Sequence, residues 1–320
     1  MHKGKSCYKE LKNMKESRKE KKKRPLKIGD IGFHIVNYIF FGLFVIVAVY
    51  PLYFVIINAI SDPQLVKTGS ILFYPRRITF RIFRDVFALN GLGKAALTSV
   101  MRTVLATLAT VLSTSVVGYV MTKQELKHKT FWYRYFIITM YVSAGMIPGY
   151  LNLYSLGFLN SFWFIYVIPC LSSPYNMILV KTYIENLPSS LEEAAYIDGA
   201  GYFKRFVYII IPLSKPILAT IAIFSAVGAW NTYMDTLLYM TKGGYQTLQS
   251  VLYTYINQSS VLASLMRQGG SSMASSVATA LSPRSIKYAV TTITILPILI
   301  VYPFFQRYFT KGIMIGAVKG

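Results

Sequence analysis

Charged residues are missing from long stretches of the chain and crowded into the gaps between them. Residues 35–57 carry no charge, a run long enough for the roughly 20 residues a helix needs to cross a hydrocarbon core about 30 Å thick. Asn37 and Pro51 inside it are tolerable where a neighbouring helix re-satisfies the backbone. A second span is predicted over 95–121, where Ser99, Thr103, Ala106, Ala109 and Ser113 recur at helical spacing and let helices approach closely in lipid. Arg102, near its outer end, is expected to snorkel to the headgroups. Residues 135–180 are uncharged and too long for one span; at about 1.5 Å rise per residue they hold two. The hairpin between them is expected near Pro148 and Gly149 and from Gly157 to Asn160. A fifth span is predicted over 206–230, with Lys215 close to its inner end, and a sixth over 288–305, flanked by Lys287 and Arg307.

The segments between the spans have patterns of their own. Over 61–94, Arg76, Arg77, Arg81 and Arg84 interleave with Ile78, Phe80, Phe83, Val86 and Phe87, which suggests a short amphipathic helix at the interface. The long loop 235–284 holds Leu248, Val251, Leu252, Tyr255 and Ile256 at helical spacing. Its Gly/Ser-rich piece at 269–276 reads as a linker, because the Gly-Lys-Ser/Thr closure of a phosphate-binding loop is missing.

Composition and charge fit this picture. Of 320 residues, 54% are hydrophobic and 14% charged, against about 25% charged in an ordinary soluble domain. The formal charge of +22 raises the question of nucleic acid, but twelve of the 34 Lys and Arg fall in the first 30 residues without an aromatic platform. That tail reads as an orienting, anionic-lipid-touching segment. Six spans place both termini on one side, and that side carries 22 Lys and Arg against 10 on the other, so both termini are expected in the cytoplasm. The expected organisation is an all-α integral membrane protein: a basic tail at 1–32, then a six-helix domain at 33–320. Within that domain lie a cytoplasmic loop at 184–206 and an extracytoplasmic loop at 234–286. The first span shows no small-residue cleavage pattern and is read as uncleaved. Cys7 and Cys170 imply no disulfide framework.

The most informative segment is the connector 189–201. Ser190 and Glu193 have the spacing of a capping box, and Gly199 and Gly201 supply a stop. The expected product is a helix of about two turns outside the membrane, too short to stand alone. It must dock on its own bundle or on a soluble partner, and the local pattern leaves both open.

Glu193-Ala194-Ala195, then Asp198-Gly199-Ala200, Phe206, Ile211-Pro212 and Pro216 resemble the cytoplasmic signature loop of bacterial ABC-importer permeases. Ile211 replaces the Leu usual before the proline. Trp230-Asn231 resembles a feature of carbohydrate-type permeases, and the C-terminal run from Leu296-Pro297 to Lys319-Gly320 resembles the polysaccharide-type subgroup. The resemblance covers essentially everything after the basic tail.

The resemblance implies a type I ABC importer permease in a prokaryotic cytoplasmic membrane. This chain would pair with a second permease above a dimer of ATPases and be fed by an extracellular solute-binding protein. The chain itself would be non-catalytic and bind no cofactor or metal, with ATP and Mg used by the ATPase. Glu193, Ala194, Ala195, Asp198, Gly199, Ala200 and Pro212 would form the coupling helix and its turn. A glycan pathway favours aromatic faces and amides, which makes Tyr141, Asn152, Trp163, Tyr175, Trp230 and Asn231 candidates; an interfacial anchor is the other reading of Trp230. The alternatives are an importer of peptides or other small solutes, a secondary transporter, and a membrane-bound scaffold. The sequence shows neither the charged span interiors nor the inverted repeat of a secondary transporter.

Overall fold

The computed structural model describes residues 28–87, 91–267 and 283–317. Most of the basic tail, Cys7 and the Gly/Ser-rich piece lie outside these residues. Among the described residues the regular structure is all helical. In chain order the helices are α1 (Ile28–Ala59), α2 (Pro63–Thr68), α3 (Arg81–Phe87), α4 (Leu92–Val120), α5 (Lys129–Tyr141) and α6 (Met146–Ser155). They continue with α7 (Trp163–Glu185), α8 (Ser189–Ile197), α9 (Tyr202–Leu213), α10 (Lys215–Asn231), α11 (Met234–Tyr239), α12 (Leu248–Arg267) and α13 (Pro283–Ala317).

Four of these are long and apolar enough to cross a membrane: Gly32–Ala59, Leu92–Val120, Trp163–Glu185 and Arg284–Pro303. Two bent pairs raise the number to six if each pair is one span. The chain divides into two compact units, one ending at Phe54 and the other beginning at Val55. In the first, the side chains of 32–53 are exposed, a surface apolar but for His34 and Asn37 and suited to lipid or to another membrane subunit.

The second unit is built around α4, which packs most extensively against α10 and α7. Its buried positions, including Ala95, Ser99, Arg102, Ala106, Thr110, Thr114 and Gly118, follow one helical stripe. Small residues on this stripe let backbones approach. A Cβ at Gly118 would stand 2.7 Å from Val180 Cγ1, so no larger residue fits without movement. At one end of α4, Leu92 and Ala95 join Ile82, Val86, Trp230, Leu248, Ala289 and Val290 in a core cluster. At the other end, Tyr119 packs with Val180, Ile184, Ile210 and Ile221. The amphipathic expectation for 61–94 is met by α3, which buries Ile82 and Val86 while Arg81 pairs with Asp85.

Three expected spans differ in detail. Residues 129–155 form two helices bent by 110° rather than one straight span. The break falls at 142–145, where Gly145 has φ 86°. Pro148 and Gly149, expected at the hairpin, instead sit in the first turns of α6, where a missing proline N–H costs nothing. Gly157 and Asn160, both with positive φ, do form the following turn. The expected fifth span is bent by 77° between α9 and α10, because Pro212 and Pro216 flank Ser214 and interrupt the amide ladder. In α7 a π-helical stretch, Trp163–Val167, and a 3₁₀ turn, Ile168–Leu171, precede the regular helix. Thr110 Oγ1 lies 3.2 Å from the Cys170 carbonyl there, as expected where apolar surroundings leave broken backbone only protein partners. In the long loop, the helical pattern from Leu248 to Ile256 is realised as α12.

Candidate functional site

The loop between α7 and α9 is organised around α8. Pro188 occupies the position before its first residue with ψ 120°, and no side chain caps the helix. The expected Ser190–Glu193 capping box is therefore not formed: the helix begins at Ser189, and both residues lie inside it and are exposed. The stop at Gly199 is formed as expected, with φ 76°. Gly199 N–H donates to the Tyr196 carbonyl at 3.0 Å, and Ala200 N–H donates to the Ala195 carbonyl at 2.9 Å. This is a Schellman ending, which needs the left-handed residue that glycine adopts without strain. Gly201 has φ −65° and instead starts α9.

The acidic residue that ties α8 to the bundle is Glu192, not Glu193. Glu192 Oε1 accepts from the Tyr119 hydroxyl at 2.9 Å, from Lys123 Nζ, and from Arg205 Nη1 at 3.4 Å. Lys123 lies over the Tyr119 ring, and Arg205 over the rings of Tyr202 and Tyr196. Tyr119 stacks on Phe206 with centroids 5.1 Å apart. A cleft of about 300 Å³ beside this cluster is lined in part by Thr122, Lys123, Leu187, Leu191 and Ile210. In the connector between α4 and α5 the Glu125 carboxyl is held below the usual carboxylate range by a backbone amide and by the Tyr202 hydroxyl.

The outward side of the loop presents large apolar side chains among charged ones. Ile197 is 84% exposed, and Leu191, Tyr196, Phe203 and Tyr208 are exposed with it. Glu193, Ala194, Asp198, Gly199 and Pro212 are exposed too, and Ala195 and Ala200 are partly so. Exposed apolar side chains gathered on one short loop mark a surface that another body covers.

The six pathway candidates do not form one cluster. Tyr141, at the end of α5, is 80% exposed; Asn152 on α6, Trp163 and Tyr175 on α7, and Asn231 at the end of α10 are exposed as well. Asn231 Oδ1 accepts from Gln249 Nε2 at 3.3 Å. Trp230 is only 8% exposed. Its indole N–H donates to the Thr294 carbonyl at 3.1 Å, which joins α10 to α13.

Arg102 does not snorkel. It is 5% exposed and lies ten residues into α4, about 15 Å from its start. Nη1 donates to the Thr232 carbonyl and to Asp235 Oδ1, each at 3.1 Å, and Nη2 faces Oδ2. The guanidinium stacks over Tyr166. The legible signal was an arginine well inside an apolar run, which by itself asks for a named partner.

A profile of the family described as "Binding-protein-dependent transport system inner membrane component" matches residues 23–315. The chain belongs to this family. It is thus a membrane component of a transport system, a permease subunit rather than a catalyst. LplC of Bacillus subtilis (strain 168) is 34% identical over 288 residues, 90% of this chain and 95% of that protein. The polygalacturonan/rhamnogalacturonan transport system permease protein YtcP of the same organism is 33% identical, over 90% of this chain and 98% of its own length. Among solved structures, a bacterial ABC transporter involved in import of the acidic polysaccharide alginate aligns with a TM-score of 0.77 and 25% identity. The alignment covers 90% of this chain and all of that one. The fold is that of a type I ABC importer permease.

Proposed function

We propose that this chain is one of two permease subunits of an ATP-driven importer of oligo- or polysaccharides in a prokaryotic cytoplasmic membrane. The observation that carries the coupling half of this reading is α8, a two-turn helix that turns exposed Tyr196 and Ile197 outward while Glu192 ties it to α4. The carbohydrate half rests on the polysaccharide systems to which YtcP and the alginate importer belong. The chain acts in six spans, each bent pair counting as one, with both termini cytoplasmic and α8 on the cytoplasmic face. The domain runs from 33 to 320 behind a basic tail.

In this reading α8 seats in a groove of a separate ATPase. Glu193, Ala194, Ala195, Asp198, Gly199 and Ala200 form the contact and its turn, and Pro212 sets the bend behind it. Closure of the ATPase dimer on ATP and Mg pulls α8, and α8 moves the bundle between inward-open and outward-open states. An extracellular solute-binding protein then delivers the glycan. Tyr141, Asn152, Trp163, Tyr175 and Asn231 offer aromatic faces and amides to it, with Trp230 anchoring the wall behind Asn231.

Co-purification from native membranes through a C-terminal tag tests the reading. It predicts recovery of a second permease and an ATPase whose hydrolysis rises with a glycan and its binding protein. Recovery of the chain alone under every detergent condition would contradict it.

A further inference from the structure

One helix of the second unit, α4, carries a charged cluster at one end and a second about a third of the way along from the other. Among the four membrane-length helices, α4 alone has neither a proline nor a π or 3₁₀ stretch in its span. Tyr119, at one end, donates to Glu192 of α8. Seventeen residues earlier, about 25 Å away at helical rise, Arg102 holds Asp235 and the Thr232 carbonyl.

The Arg102 end is a connected polar network rather than a lone ion pair. Tyr166, under the guanidinium, bonds through its hydroxyl to Thr236 at 2.9 Å and to the Tyr245 carbonyl at 2.7 Å. Asp235 Oδ1 also accepts from Thr236 N–H. Ser99, one turn before Arg102 on α4, accepts from Leu248 N–H at 2.8 Å. The hairpin 232–247 is thereby bound to α4 and α7, with Ser99, Arg102, Tyr166 and Thr236 buried at the contact. A buried pair of this kind is weak evidence for added stability, and its better attested use is to fix one arrangement.

We propose that Arg102 and Asp235 are a positioning pair that makes the hairpin 232–247 move with α4, so that displacement of α8 by the ATPase is delivered to the opposite face of the membrane. This inference rests on the coupling reading of α8. No part of it requires solute contact by either residue. The pair acts by holding the hairpin in register with the helix whose other end α8 grips.

The test uses the assembled transporter with Cys7→Ser and Cys170→Ser, plus one reporter, Gly244→Cys. Gly244 is exposed at the hairpin tip, and an added Cβ there meets nothing within 4 Å. The probes are ATP with vanadate and a membrane-impermeant maleimide. ATP with vanadate is expected to change the labelling rate about threefold or more, a coupling of the size such networks carry. Arg102→Asp should abolish that change while basal ATPase persists, and Arg102→Asp with Asp235→Arg should restore it. Loss without restoration in an assembled double variant would overturn the proposal, as would an unchanged response in Arg102→Asp. If the reversals prevent assembly, Arg102→Lys keeps the charge but not the two-pronged grip, and a full wild-type response there overturns the proposal. A reporter at Ile197→Cys separates the two layers. If neither site responds to ATP with vanadate, the coupling reading fails; if Ile197→Cys responds and Gly244→Cys does not, only the present inference fails.

Discussion

The two charged clusters on α4 use the same chemistry with different geometry. At Arg102 the buried guanidinium grips both oxygens of Asp235, beside buried Tyr166 and Thr236. At Glu192 one carboxylate oxygen, in a side chain about as enclosed as that of Asp235, is shared by three donors next to an exposed apolar loop. A two-pronged pair fixes one geometry, a specificity that a single shared oxygen lacks. The first arrangement suits a joint that stays closed through a transport cycle. The second suits a tether on an element that a partner pulls.

The largest predicted effect follows from that contrast. Arg102→Ala leaves the Asp235 carboxylate without its partner and should lower the stability of the chain by about 3–5 kcal/mol, read as a fall in the detergent unfolding midpoint. Gly118→Ala comes next. Its Cβ would meet Val180 at 2.7 Å, and overpacking of this kind costs about 1–3 kcal/mol. The same unfolding assay should show it, with no change at the α8 surface. Gly199→Val places a β-branched residue at φ 76°, for about 1–2 kcal/mol of local strain. The space around it is open, so membrane levels should hold while solute-stimulated ATPase activity falls. Glu192→Gln keeps the acceptor oxygen but removes the charge that Lys123 and Arg205 share, and should cost about 1 kcal/mol, the difference between a charged and a neutral hydrogen bond, with transport falling more than stability. Glu193→Ala is the smallest in stability, within about 0.5 kcal/mol as for an ordinary surface site, because Glu193 caps nothing. Its effect should appear only in assembly with the ATPase.

These effects also mark where the sequence was readable. Spans were legible because lipid demands long uncharged runs, and α4, which has no proline, was placed within three residues at its start and one at its end. The turn at Gly199 was legible because only a left-handed residue ends a helix that way. Bends were less so: Pro212, Pro216 and Gly145 were visible, but whether a proline kinks a helix or begins one depends on the neighbours it meets. Pro148 began one. The capping box failed by register, since Pro188 starts α8 before Ser190 can cap it. Glu192 was hidden beside the motif residue Glu193, because adjacent helix positions point about 100° apart and only packing shows which one faces the bundle. The Arg102–Asp235 pair, 133 positions apart in sequence, was beyond any local pattern.

Ile197 is the most exposed apolar side chain on the face of α8 assigned to the ATPase. Ile197→Cys, in a chain with Cys7 and Cys170 replaced by Ser, should react rapidly with a polar maleimide in inside-out vesicles when expressed alone. Co-expression with the ATPase recovered in the purification should slow labelling about tenfold or more, as expected for a residue buried at a protein interface. Equal labelling rates with and without the ATPase, in vesicles where the two co-purify, would contradict the assignment of α8 as the coupling surface.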